Sequence, residues 1–297
     1  MNEQCVTQFT TAAEVDEAVR KAGRLAYVDV PAPAYHATQA VSQSTLKKVA
    51  ASPAKLKWER EHPRYDTPAA FKIGTAVHLA LLEPDKFDSS YTSMPKVDRR
   101  TKEGKAKAEE HEKAANGRIV LTEDEMDIVQ RIYARSRSDK ELGVYFEGGS
   151  HELSFFAKDE QTGLVLRCRP DQLVTVNGLQ VVVDLKTTDC ATESVFEKDI
   201  LNYGYLTQAA FYMDTIEAAT GRRPDAFVIV AVEKSRDCDY TTWMFDDDTL
   251  AFATEEYRRW LSVYADCVKT GVWPGYKRGL ISYKLPKWKV NKFEEAW

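Results

Sequence analysis

Short apolar runs separated by turn residues fill the middle of the chain, and longer stretches with apolar residues at helical spacing lie on either side of them. HELSFFAKD, a turn at Gln161-Thr162-Gly163, LVLRCRPDQLVTV, the dipeptide Asn177-Gly178 and LQVVVDLKTT follow one another as strands and turns. DAFVIVAVEK and DYTTWMF are two further strands, and helical patterns occupy 11–22, 192–201, 203–220 and 247–270.

Upstream, VDVPAPAYHATQA is broken by prolines and predicts an extended arm without regular structure. Ser42 or Ser44 caps the helix after it, and Pro53 stands in the first turn of the next one. PAAFKIGTAVHLALL (68–82) has helical length and apolar residues on most faces, which predicts a buried helix; Gly74 and His78, four apart, share one side of it. Residues 96–118 are rich in Lys, Glu and Ala with no apolar stripe, and predict an exposed helix or a mobile loop. Thr122-Glu123-Asp124-Glu125 reads as a capping box that opens a helix ending near Ser136. Strands flanked by helices, with hairpins between, predict an α/β fold on a central mixed β-sheet. The chain divides into a helix and arm (1–40), a main body (41–273) and a basic aromatic tail (274–297).

Composition narrows the class. A chain of 297 residues, 43% hydrophobic and 29% charged, is long enough for a sizeable core and ordinary for a globular protein. No apolar run could span a bilayer, and MNEQCVTQFTTAAEVDEA has neither a basic nor an apolar leader region, so a cytoplasmic location is expected. Cys5, Cys168, Cys190, Cys238 and Cys267 form no CxxC, which predicts reduced thiols and neither zinc nor an iron–sulfur cluster. There is no GxxxxGK[ST] loop for a nucleotide. A net charge of −5 excludes a chain coated in basic charge, yet GYKRGLISYKLPKWKVNKF (275–293) has six Lys or Arg and no acid. Lys277, Arg278, Lys284, Lys287 and Lys289, interleaved with aromatics, make either a polyanion-binding tail or a solvated extension whose rings pack on the body.

The chemistry gathers at VVVDLKTT. Three β-branched residues predict a buried strand, and Asp184 and Lys186, two apart, face the same side of it. Asn-Gly between two apolar runs is the strongest short-range signal for a two-residue hairpin. With those two as the loop, Val176 faces Leu179, Val174 faces Val181, and Asp171 falls opposite Asp184. Their Cβ atoms would lie roughly 4.5–5.5 Å apart, destabilising for like charges unless a cation sits between them. A divalent ion with Lys186 nearby to orient or help deprotonate a water is one reading, and a structural ion network is the other. A one-residue bulge would aim an aspartate away. Glu103-Gly104-Lys105 carries the same triplet but reads as a solvated helix face.

In the order Gly74-x-x-x-His78, Glu152, Arg169-Pro170-Asp171, Asp184-Leu185-Lys186 and Gln208-x-x-x-Tyr212, these residues resemble the PD-(D/E)XK nuclease superfamily in its RecB-type branch. SPAKLKWEREHP, FKIGTAVHLALLEPDKF, RCRPDQLV, VDLKTTDCA and YGYLTQAAFYMD are similar to the RecE-like (exonuclease VIII) nuclease family, over about 35–273. The resemblance implies a restriction-endonuclease-like core. It further implies that His78, Asp171, Asp184 and the Leu185 carbonyl bind Mg²⁺ or Mn²⁺, that Glu152 helps hold a second ion or its water, and that Lys186 handles the attacking water. Gln208 and Tyr212 would position the DNA phosphate or the nucleophile. Taken singly, His78 and Tyr212 also read as core residues, Gln208 as a cap or surface residue, and Glu152 as a partner of Arg167 or Arg169.

By this likeness the expected activity is Mg²⁺-dependent 5′ to 3′ exonuclease action on the ends of double-stranded DNA. It would leave 3′ single strands for a RecT-like annealing partner, from a homotetrameric ring that serves DNA recombination and repair in the manner of phage enzymes. The competing expectations are an endonuclease or single-strand nuclease of the same superfamily, and a non-catalytic DNA-binding recombination protein.

Overall fold

Asn177 and Gly178 adopt φ of +50° and +84°, the paired left-handed conformations of a type I′ turn, which reverses the chain with the twist that adjacent strands require. In this computed structural model, which describes residues 6–63, 72–98, 100–235 and 237–285, that turn organises the central sheet. In chain order the elements begin with β1 (Thr7–Gln8), α1 (Ala12–Ala22), β2 (Arg24–Asp29), α2 (Ala32–Ala37), α3 (Gln43–Ala51) and α4 (Pro53–Glu61). Next come α5 (Lys72–Leu82), α6 (Pro84–Ser90), β3 (Tyr91–Met94), α7 (Lys102–Ala114), β4 (Ile119–Thr122), α8 (Glu123–Ser138) and α9 (Lys140–Gly143). The sheet-forming region holds β5 (Ser150–His151), β6 (Ser154–Lys158), β7 (Val165–Cys168), β8 (Gln172–Val176) and β9 (Leu179–Thr188). α10 (Glu193–Tyr203), α11 (Tyr205–Thr220), β10 (Ala226–Glu233), β11 (Tyr240–Met244) and α12 (Asp247–Thr270) complete the described fold.

A five-stranded mixed sheet runs in the order β11-β10-β9-β8-β5, with β9 at its centre, antiparallel to β8 and parallel to β10. The parallel pair is connected through α10 and α11, as a parallel connection must be. The hairpin keeps the expected register, Val176 with Leu179 and Val174 with Val181, as far as Gln172 with Val183.

β9 is covered on both faces, so its apolar residues sort by parity. Val181, Val183 and Leu185 pack with Val77 and Leu81 of α5 and Val129 and Ile132 of α8. Val182 joins Phe211 and Met213 of α11 and Tyr257 of α12 on the other side. Asp184 and Lys186 therefore point toward the α11 face.

Two expectations are corrected. LVLRCRPDQLVTV is not one strand: β7 lies in a four-stranded sheet of order β1-β2-β6-β7, β8 lies in the central sheet, and the chain crosses between them at Arg169-Pro170-Asp171. Pro170 has no N–H for a ladder and ends the pairing there. HELSFFAKD divides likewise, with His151 in the central sheet, Ser154 in the other and Glu152 between them at φ +50°. The second correction concerns the proline-rich arm, which begins with the end of β2 and contains the helix α2. Pro31 caps that helix with Pro33 in its first turn, where a missing N–H costs nothing.

Elsewhere Ser42 accepts from Thr45 N and caps α3, and Thr122 and Glu125 form the capping box of α8. Residues 102–114 take the helical alternative as α7, buried only at Gly104 and Ala108, so Glu103-Gly104-Lys105 sits on a helix away from the central sheet. Pro68–Phe71 of the expected buried helix lie outside the described residues, as do Lys287 and Lys289. No helix among the described residues is long and apolar enough to cross a membrane, and Cys168, Cys190, Cys238 and Cys267 are free thiols.

Candidate active site

The two sheet crossings meet. Continuing the β6–β7 register places Glu152 opposite Asp171, and the Glu152 N–H donates to the Asp171 carbonyl at 3.2 Å. Just past the last ladder pair of β8, the Asp171 side chain takes over from the backbone: its Oδ2 accepts the Leu185 N–H at 2.7 Å. The hairpin thus ends with a carboxylate capping the strand that carries Asp184 and Lys186.

His78 reaches the same place from α5. Its Nε2 lies 2.8 Å from the Leu185 carbonyl, which can only accept, so Nε2 carries a proton, and Nδ1 lies 3.5 Å from Asp171 Oδ2. Gly74 one turn earlier allows this approach, because a Cβ there would stand 3.2 Å from Thr187 Oγ1. Ligand atoms of His78, Glu152 and Asp171 all fall within 4.8 Å of one another.

Asp184 is 2% exposed and is not in that group of three. Its Oδ1 accepts from Gln208 Nε2 at 2.6 Å, and its Oδ2 faces Lys186 Nζ at 2.5 Å. Burial pushes the Asp184 carboxyl up, Lys186 pulls against it, and Asp171 adds to the rise. Burial alone would lower Lys186, but Asp184 and Asp171 outweigh it and hold the ammonium above the usual lysine range. Glu152 is driven up to about 8, first by burial and then by the Asp171 carboxylate beside it.

A hard divalent cation fits this donor set. Two carboxylates and an imidazole nitrogen converge, and Glu152 is raised by burial and then by Asp171, with Arg169 pulling only partly against them. Asp184 and the Leu185 carbonyl adjoin the group, and either would join it once released from Lys186 or His78.

Gln208 spends its amide on Asp184, so in this geometry it positions the acid. Tyr212, one turn along α11, packs edge-on to Phe227 at 6.2 Å, its hydroxyl raised well above the usual tyrosine range by burial, then by Tyr35 and Asp184. Arg169 does not pair with Glu152: its Nε donates to Ser154 Oγ at 2.8 Å, its Nη2 to the Val30 carbonyl at 2.7 Å, and its guanidinium lies 4.1 Å over Tyr35. Arg167 is likewise taken up by the Tyr35 and Thr38 carbonyls.

Beside these residues opens a cleft of about 1140 Å³, on whose wall stand Glu152, His78, Leu185 and Lys186 together with Ser44, Lys47, Lys234, Tyr203 and Tyr205. None of the last five reads as a site residue in the sequence, where Ser44 is a candidate only for a helix cap. Lys234 was within reach, since the parallel pairing of β10 with β9 sets Glu233 beside Thr188 and so places the next residue at the same strand end. Lys47 and Tyr203 come from separate helices, and nothing in their local sequence marks them. Lys277, Arg278 and Lys284 stand exposed on irregular chain after α12, and none lines the cleft. Tyr276 and Tyr283 are 75% and 79% exposed, so these two tail rings do not pack on the body.

A central mixed sheet with flanking helices, an Asp-x-Lys strand and a second aspartate at its hairpin's end define the restriction-endonuclease-like class of fold. The chain belongs to the family described as a PDDEXK-like domain of unknown function (DUF3799), whose pattern matches residues 42–283. No curated protein matches it. Among solved structures, a protein of Eubacterium rectale provisionally described as an exonuclease is similar over 88% of this chain and 98% of its own. Its TM-score is 0.60 at 16% identity, a likeness of fold. An alkaline exonuclease of Laribacter hongkongensis covers 78% of this chain and 91% of its own at 17% identity, with a TM-score of 0.30.

Proposed function

We propose that this chain is a Mg²⁺-dependent exodeoxyribonuclease that hydrolyses one strand of linear duplex DNA from 5′ to 3′. The observation that supports it best is the convergence of His78, Glu152 and Asp171 within 4.8 Å at the end of the strand that bears Asp184 and Lys186. A structural ion network is the rival account of these groups, but it leaves Glu152 beside Asp171 with its carboxyl driven up to about 8.

Asp171, Asp184, His78, Glu152 and the Leu185 carbonyl would hold the ion, and Mn²⁺ would substitute for Mg²⁺. When bound, the ion supplies Lewis-acid stabilisation of charge at the phosphoryl oxygens. Lys186 extends its ammonium into the cleft beside Asp184, where it orients the attacking water and counters charge on the phosphoryl group. Water oxygen attacks phosphorus in line as the bond to the leaving oxygen breaks. Gln208 keeps Asp184 in place, and Lys47 and Lys234 line the cleft with positive charge suited to the flanking phosphates.

Polarity, the 3′ single strands left for a RecT-like annealing protein, a tetrameric ring and a role in recombination rest on the sequence resemblance. So does assignment of the nuclease unit to 41–273, with the basic tail as a DNA contact. The deciding experiment is digestion of linear duplex labelled at each strand end in turn, alongside closed circular DNA, with wild type and Lys186→Ala. Label released from 5′ ends first, with circles intact, supports the proposal. Cutting of circles replaces it with an endonuclease, and inert wild type defeats both.

A further inference from the structure

We propose that Tyr203 is a stacking platform for the terminal nucleobase of the strand being cut. The proposal rests on the nuclease reading and deepens it by naming how the substrate end is received.

The cleft has two unlike walls. One carries Glu152 and His78, and the other, built by α10 and the start of α11, presents aromatic rings together with Asp199. Lys186 Nζ stands 4.9 Å over the ring of Tyr205, and the Tyr205 centroid lies 5.8 Å from that of Tyr203 at an interplanar angle of 32°. The rings thus lead outward from the group next to the scissile position. Tyr205 is packed, with Phe196 6.0 Å from it, whereas Tyr203 at the outer end is 54% exposed and keeps a face for a ligand.

A single exposed tyrosine ordinarily needs no explanation. Tyr203 differs because it is held. Lys47 Nζ donates to the Tyr203 carbonyl at 2.8 Å and lies 5.6 Å from the centre of its ring, so backbone and side chain are pinned by one residue. Gly204 then turns the chain from α10 into α11 at φ +70°, and the Gln43 side chain secures its carbonyl at 3.2 Å. The turn sets two tyrosines on the cleft within a dipeptide's reach of one another. A fixed aromatic face beside an ammonium is what binds an unstacked base without regard to its identity, the base meeting the ring while the charge meets the backbone. Bases inside a duplex are covered on both faces by their neighbours, so the occupant is the base at the end of the strand.

The test uses linear duplex with 2-aminopurine at its terminal position, Ca²⁺ in place of Mg²⁺ for binding, and Mg²⁺ for turnover. Stacking on Tyr203 predicts quenched 2-aminopurine fluorescence with wild type and Tyr203→Phe, and loss of that quenching with Tyr203→Ala. In turnover, Tyr203→Ala raises KM by about ten-fold or more with kcat little changed, and Tyr203→Phe restores it. Equal quenching and equal KM in all three, with wild-type cleavage intact, overturns the platform and leaves the nuclease standing. Wild type that neither binds nor cleaves overturns the nuclease reading and the platform with it.

Discussion

Gln208 on α11 donates its amide to Asp184 on β9 at 2.6 Å, and so a helix outside the sheet fixes the carboxylate at its centre. Gln208→Ala leaves Asp184 Oδ1 buried without that donor. Supporting hydrogen bonds of this kind are worth about 10–100-fold in metal affinity or activity. Initial rates across a Mg²⁺ titration are expected to fall within that range while the fold is kept; unchanged rates at limiting Mg²⁺ would contradict the role.

Lys186 and Asp184 should show the asymmetry of a buried pair. Lys186→Met strands a carboxylate that is 2% exposed, at a cost on the order of 3 kcal/mol in urea unfolding, and abolishes cleavage. Adding Asp184→Asn removes the stranded charge and recovers part of the stability, though none of the activity. A double variant less stable than Lys186→Met would show that the pair is not coupled.

Gly74→Val separates packing from chemistry. The new side chain meets Thr187 Oγ1, 3.2 Å from where its Cβ would stand, and pushes the first turns of α5 off the strand end. His78 then loses its hold on the Leu185 carbonyl. The expected result is a raised Mg²⁺ requirement in a protein that still unfolds cooperatively, read by calorimetry with and without the ion.

Acid stability depends on Asp159, where the chain leaves β6. Burial alone would raise its carboxyl, but the Thr162 hydroxyl at 2.6 Å, the Thr162 N–H at 2.9 Å and Arg258 hold it below the usual carboxylate range. Its folded pKa therefore lies below the unfolded value of about 3.9, so its stabilisation is present above about pH 4 and lost as pH falls through the folded pKa. Urea midpoints for wild type and Asp159→Asn should keep a constant gap above about pH 4 and approach one another as pH falls further; a gap that does not narrow would assign the effect to packing.

Much of this site is legible before any coordinates. Asn177-Gly178 sets the hairpin register by its need for two positive φ values, and parity then places Asp184 with Lys186 and brings Asp171 to the strand end. His78 follows from Gly74, since both lie on one side of α5. Legibility fails where the chain changes sheets. Alternation reads the same on either side of Pro170, and nothing local says that the residues before it pair in a different sheet from those after. The helix around Pro33 is missed because proline is judged by what it excludes and not by where in a helix it stands. Tyr203 and Lys47 are unreadable because their meeting is tertiary.

Glu152 and Asp171 both stand where the backbone passes from one sheet to the other, whereas Asp184 and Lys186 ride within the central sheet. These two acids are thus mounted on a joint between two plates. A rotation of one plate against the other changes the distance between the two pairs without altering either pair internally. Under the proposed function, the strength of ion binding is a gauge of how the two halves of the body are aligned.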